Sequence, residues 1–172
     1  MKNKFTNKTN PVLKFPWRSP LQIIDAIKPY IEGKVVCDLG CACGDILYAM
    51  KDVTKEIVGV EFDIRFKEQI NSIGADRDFI LWGDLFKMGV PKADVYFLWI
   101  SPDVQYNKRI IDMIQTNKLI IDVTSRLELF KDFKNLTLMD VIEYEYDETN
   151  CYGYVKGFEP TGKRIVRIYK KI

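Results

Sequence analysis

Apolar and polar positions along this chain follow two periods in turn, and the places where one gives way to the other divide it into elements. Residues 34–39, 57–61, 78–82, 93–100 and 119–123 are short apolar runs rich in Val and Ile. Strands buried on both faces have this unbroken apolar character, and it is typical of a parallel sheet covered by helices. Between the runs, three sets recur at helical spacing: Ile46, Leu47, Ala49 and Met50; Ile64, Phe66, Ile70 and Ile73; Val104, Ile110, Ile111 and Ile114. Asp63 is placed to cap the second helix and Gly74 to end it. Residues 84–92 leave room for no more than a helical turn, and the third helix is expected over 103–116. Upstream, Ser19-Pro20-Leu21-Gln22 predicts a helix with Ser19 as N-cap and Pro20 at the first position. It runs to Ile31 and turns Leu21, Ile24, Ala26, Ile27 and Ile31 inward. Ser125 with Glu128 forms a capping box for one more short helix.

Beyond residue 135 the helices stop. Residues 136–146, 152–158 and 164–169 read as strands, with Pro160-Thr161-Gly162 as the turn between the last two, and consecutive strands without crossovers pair antiparallel. The expected fold is α/β and doubly wound: a mostly parallel seven-strand sheet with helices on both faces and an antiparallel C-terminal hairpin. Residues 1–14 are expected to be a basic, flexible N-terminal arm, and residues 15–172 a single domain, a length that suits one two-faced core.

Composition narrows the chemistry. The chain has no histidine, which removes every mechanism that relies on an imidazole and leaves proton transfer to Asp, Glu, Lys, Tyr or Cys. Cys37, Cys41 and Cys43 crowd together, but Cys37 falls inside a strand and the spacing fits no common ligand pattern, so no metal is expected. Charges interrupt every apolar stretch well short of the roughly 20 residues that span a bilayer. No secretory signal is read at the N-terminus, and a cytoplasmic location is expected. The net charge of +2 points to no partner. Its distribution says slightly more: Lys2, Lys4, Lys8, Lys14 and Arg18 occupy the first 19 residues without an acid, a segment open to two readings, a track for phosphate, nucleic acid or an acidic protein surface, and a solvated, frayed terminus, the latter favoured for residues 1–12.

The candidate site follows from where the strands end. The first run breaks at Asp38-Leu39-Gly40-Cys41-Ala42-Cys43-Gly44-Asp45, a small-residue turn that feeds a helix. Such a turn sets backbone N–H groups beside a crevice at the carboxyl edge of the sheet. In the dinucleotide fingerprint the last glycine would fall on Asp45, whose carboxylate opposes a pyrophosphate. A cationic ligand bearing an amino acid suits Asp38 and Asp45 better. Glu61 ends the second run, where a carboxylate accepts ribose hydroxyls, and Gly83-Asp84 ends the third.

This series resembles the motifs of class I S-adenosylmethionine-dependent methyltransferases, in which an acidic residue precedes G-x-G-x-G. The match departs at Ala42. The resemblance implies that S-adenosyl-L-methionine is the cofactor, held by Trp17, Asp38, Gly40, Cys41, Ala42, Gly44, Glu61, Phe62, Gly83, Asp84, Leu85 and Trp99. It places the acceptor at Trp99-Ile100-Ser101-Pro102-Asp103, where Ser101 and Asp103 are the candidates to orient an amine or help it lose a proton. Among compact members the chain is most similar to the small archaeal protein-lysine methyltransferases, on its aromatic lead-in Phe15-Pro16-Trp17, its Val58-Gly59-Val60-Glu61 and its C-terminal hairpin. That similarity implies a macromolecular acceptor, a protein amine before RNA. It departs over residues 122–126, which lack that family's His-Glu-Phe-like turn. An RNA or small-molecule methyltransferase and a non-catalytic binding subunit with the same fold stand as alternatives.

Overall fold

A computed structural model describes residues 20–98, 103–123, 130–147 and 161–172. The predicted arm, Trp17, Ser19, Trp99, Ser101, the Ser125 capping box and the 152–158 strand lie outside the described residues. The elements run α1 (Ile23–Ile31), β1 (Val35–Leu39), α2 (Asp45–Met50), β2 (Glu56–Glu61), α3 (Ile64–Ser72), β3 (Ile80–Trp82), α4 (Leu85–Met88), β4 (Val95–Leu98), α5 (Val104–Met113), β5 (Leu119–Asp122), β6 (Leu136–Asp147) and β7 (Thr161–Lys171).

The strands form one seven-stranded sheet in the order β3-β2-β1-β4-β5-β7-β6. β1 to β5 pair in parallel, and β7 enters antiparallel between β5 and β6. Strand order reverses between β1 and β4, so the connections leave the two sides of that line in opposite directions and open a crevice at the strands' carboxyl ends.

Apolar residues on both sides of the sheet build two cores. Val36, Val95, Phe97, Ile121, Val166 and Ile168 pack on one face with Ile24, Ile27 and Ile31 of α1, Leu47 and Met50 of α2, and Ile70 of α3. Cys37, Leu39, Tyr96, Leu98, Ile120 and Tyr169 face the other way, onto Leu85 of α4 and Ile110 and Ile111 of α5. Alternate strand residues thus reach opposite layers, as the pleat requires.

Two expected boundaries move. The first helix starts at Ile23 instead of Pro20, preceded by tight turns in which the Ile23 and Ile24 N–H groups reach the carbonyls of Pro20 and Leu21. The Ser19 half of the expected capping box lies outside the described residues; Gln22 Nε2 donates to the Asp147 carbonyl 2.8 Å away and ties the start of α1 to the end of β6. Thr161 and Gly162, read as a turn, are the first residues of β7 and sit opposite Asp147 and Tyr146. A Cβ on Gly162 would lie 3.2 Å from the Tyr146 hydroxyl, so this glycine makes room for a ring. At the far end of the chain, the buried Lys171 donates from Nζ to the carbonyls of Ile111, Asp112 and Ile114 and closes the C-terminus of α5.

Candidate active site

The turn after β1 is held in a shape that needs small residues. Gly40, Ala42 and Gly44 all have positive φ, at 97°, 51° and 69°, and the N–H groups of Gly40 and Cys41 both reach the Val60 carbonyl. This lays Cys41 against β2, where a Cβ on Gly59 would come within 2.6 Å of the Cys41 Sγ. Gly59 is therefore required by the turn that folds over it. Ala42 is the one residue of the turn with a Cβ in the left-handed region, and its N–H donates to Glu61 Oε2 at 2.8 Å.

Glu61, at the end of β2, also accepts from the N–H groups of Phe62 and Asp63 at Oε1, both at 2.7 Å. The carboxylate thus binds the turn after β1 to the turn after its own strand. Asp38 lies on the adjacent strand and is buried. Burial first, and the Glu61 charge second, push its carboxyl up to about 7. Asp84 follows Gly83 at the end of β3 and caps α4, accepting from the Phe86 N–H at 3.0 Å. Gly83 sits at φ 156°, a conformation that L side chains rarely adopt, and a Cβ there would lie 2.4 Å from Met88 Sδ and displace that flexible, exposed side chain.

A pocket of about 270 Å³ opens at this edge. Of the residues expected from the sequence, Gly40, Glu61, Phe62, Gly83, Asp84 and Leu85 line it. Asp38 on β1 and Cys41, Ala42 and Gly44 in the turn that follows it are not among the lining residues, although their neighbours Leu39 and Gly40 are. Leu39, Val60, Phe86 and Tyr106 also line the pocket and were not anticipated. Tyr106 stands in the first turn of α5, edge-on to Phe86 with 5.4 Å between ring centroids, and the Arg109 guanidinium stacks on Phe86 at 4.0 Å. The signal in the sequence was the spacing of Asp103, Tyr106 and Arg109 along one helical face.

Asp103 is the N-cap of α5, and its Oδ1 accepts from the N–H groups of Gln105 and Tyr106. Asp45 does not face an open site: its Oδ1 lies 3.3 Å from Arg77 Nη2 and its side chain is 10% exposed. The three clustered cysteines are buried and free. Burial pushes their thiols up, Cys43 to about 12, opposite to what a thiolate metal ligand requires. Among the described residues no three His, Cys, Asp or Glu side chains are grouped to hold a metal, and no helix is long and apolar enough to cross a membrane.

The reversed seventh strand and the crevice where strand order turns make a mostly parallel seven-strand α/β fold of the kind seen in solved methyltransferase structures. No protein-family model and no curated protein sequence matches the chain; solved structures do. The tRNA (m1A58) methyltransferase TrmI of Aquifex aeolicus superposes with a TM-score of 0.58 at 14% identity, over 93% of this chain and 72% of that one. The Bacillus subtilis M1A22 tRNA methyltransferase TrmK gives 0.54 at 16%, over 90% and 67%. A Pyrococcus horikoshii protein described as a candidate RNA methyltransferase gives 0.55 at 18%, over 88% and 82%. Likeness at this level of identity is likeness of fold.

Proposed function

We propose that this chain is an S-adenosylmethionine-dependent methyltransferase whose acceptor is RNA. The observation that carries the cofactor is the series Asp38, Glu61 and Asp84 along one sheet edge, beside a pocket whose residues are otherwise mainly apolar. A carboxyl raised to about 7 by burial first and by a second carboxylate after it is a site that a cation stabilises. When bound, the cofactor supplies a methyl group made electrophilic by a sulfonium.

The chain's own part is binding, orientation and exclusion of water. Asp38 takes the ammonium, Glu61 the ribose and Asp84 the adenine edge, with Phe62 and Leu85 against the ring. Three N–H groups already occupy Glu61, and a carboxylate has about four acceptor sites. One ribose hydroxyl fits without disturbance; a second displaces the Ala42 N–H. Asp103, in the same helical turn as Tyr106, is the described candidate for orienting the acceptor amine. Ser101, Trp17 and Trp99 retain the roles expected from the sequence.

For the acceptor, the sequence resemblance put a protein lysine first, but no solved neighbour named above is a lysine enzyme. Two are tRNA methyltransferases by name. The pocket mouth supports RNA on its own account, since an exposed aromatic and a stacked guanidinium suit a base and a phosphate. The basic segment at residues 1–19 adds to this.

Calorimetric titration with S-adenosylmethionine, S-adenosylhomocysteine and NAD tests the cofactor. Micromolar binding of the first two that is lost in Asp38→Asn and Glu61→Gln is expected, and no binding refutes it. Labelled-methyl transfer onto unmodified total RNA and onto a protein extract tests the acceptor. Label in protein alone refutes RNA.

A further inference from the structure

Arg77 belongs to the segment between α3 and β3, away from every motif, yet its side chain is only 4% exposed. Its Nε donates to the Cys43 carbonyl at 3.1 Å, Nη1 to the Asp76 carbonyl at 2.8 Å and Nη2 to Asp45 Oδ1 at 3.3 Å. The guanidinium also lies over the Tyr48 ring, 4.1 Å from its centroid. One planar group therefore holds the residue before Gly44, the residue after it and a ring one turn into α2. Gly44 itself bends the chain at φ 69°, and a Cβ there would lie 2.7 Å from the Phe79 ring, so the position between the two held residues requires glycine.

We propose that Arg77 is a positioning residue for the amino-acid end of the cofactor; the assignment rests on the S-adenosylmethionine reading given above. Two carboxylates flank the small-residue turn, Asp38 before it and Asp45 after it. Arg77 neutralises Asp45, so Asp38 is the carboxylate offered to the ligand's ammonium. It also holds the Cys43 carbonyl, and with it the far side of the turn whose first residue, Gly40, lines the pocket. Lysine cannot replace it fully, because a single ammonium does not present donors in three directions in one plane or stack as a flat ion.

The role predicts selectivity between two parts of one ligand. Arg77→Met weakens S-adenosylmethionine and S-adenosylhomocysteine by about tenfold or more, on the scale of a lost charged contact. It leaves methylthioadenosine, which has the nucleoside but no amino acid, within about twofold. Arg77→Lys falls between the two proteins. Arg77→Met with Asp45→Asn recovers part of the loss, because the carboxylate left without its cation has gone. The Kd values are measured by calorimetry well below each variant's unfolding midpoint, and Arg77→Lys with its selectivity ratio decides the matter if the methionine variant does not fold. Equal loss for both kinds of ligand, or no loss, overturns the assignment while the cofactor reading stands. Wild-type protein that binds none of the three ligands overturns both.

Discussion

Replacing Asp38 by Asn isolates the charge at the end of β1, because the two side chains have nearly the same shape. In the folded chain, burial and the neighbouring Glu61 raise the carboxyl from 3.8 to about 7. Between those values the folded state keeps a proton that the unfolded state has released. Stability therefore falls as pH rises from about 4 to about 7 and is level above it. At about 1.4 kcal/mol per pH unit, the stretch from pH 5 to pH 7 is worth roughly 2 to 3 kcal/mol. The chain has no histidine, so no ordinary side chain titrates in this window, and the terminal amine is common to both proteins. Urea unfolding in half-unit steps from pH 5 to 8 should show the wild type losing about that much relative to Asp38→Asn. A cationic ligand follows the opposite course, since it needs the carboxylate. Its affinity rises by up to about tenfold per unit until about pH 7 and then levels. A stability difference that stays flat within about 0.5 kcal/mol, or grows the other way, would refute the argument that the buried carboxyl holds its proton.

The remaining predictions concern the fold around the site. Lys171→Met strips three carbonyls at the end of α5 of their donor and should cost about 2 to 3 kcal/mol in thermal or urea unfolding, with ligand Kd unchanged. Ala42→Gly relieves a left-handed alanine but frees the unfolded chain, so stability should change by less than about 1 kcal/mol. Ala42→Val puts a branched side chain at the same φ of 51° and should cost clearly more. Gly59→Ala drives a Cβ toward Cys41 Sγ and should weaken both stability and cofactor binding, with partial rescue by Cys41→Ala; a variant that binds like the wild type would show that the turn does not rest on β2.

Where structure follows from local pattern, the chain could be read. The five parallel strands were visible because both faces are covered and their apolar runs are unbroken. Asp63 could be read as a cap because a cap is satisfied by an N–H group two residues away. The misread positions have distant partners. Gln22 was read only for a local role at the start of its helix, but its amide reaches the Asp147 carbonyl. Pro160-Thr161-Gly162 has turn composition, but Thr161 and Gly162 continue a strand because Tyr146 needs the space over Gly162.

The site divides in the same way. Asp38, Glu61 and Asp84 were legible because each closes a strand, or follows one directly, and strand ends are marked in sequence. Which acids stay available was not legible. Asp38 and Asp45 flank the same turn and look equivalent along the chain, yet Asp45 is engaged by an arginine beyond α3. The turn has two anchors of different kinds. Arg77 grips the Gly44 side with donors that no ligand competes for. Glu61 grips the Ala42 side with an oxygen that, on the cofactor reading, the ribose also seeks. Binding should therefore loosen the Ala42 side while the Gly44 side stays fixed. Hydrogen exchange would record this as faster exchange at the Ala42 amide in the complex and unchanged exchange at Gly44. Protection rising equally at both would mean that the ribose does not compete for Glu61.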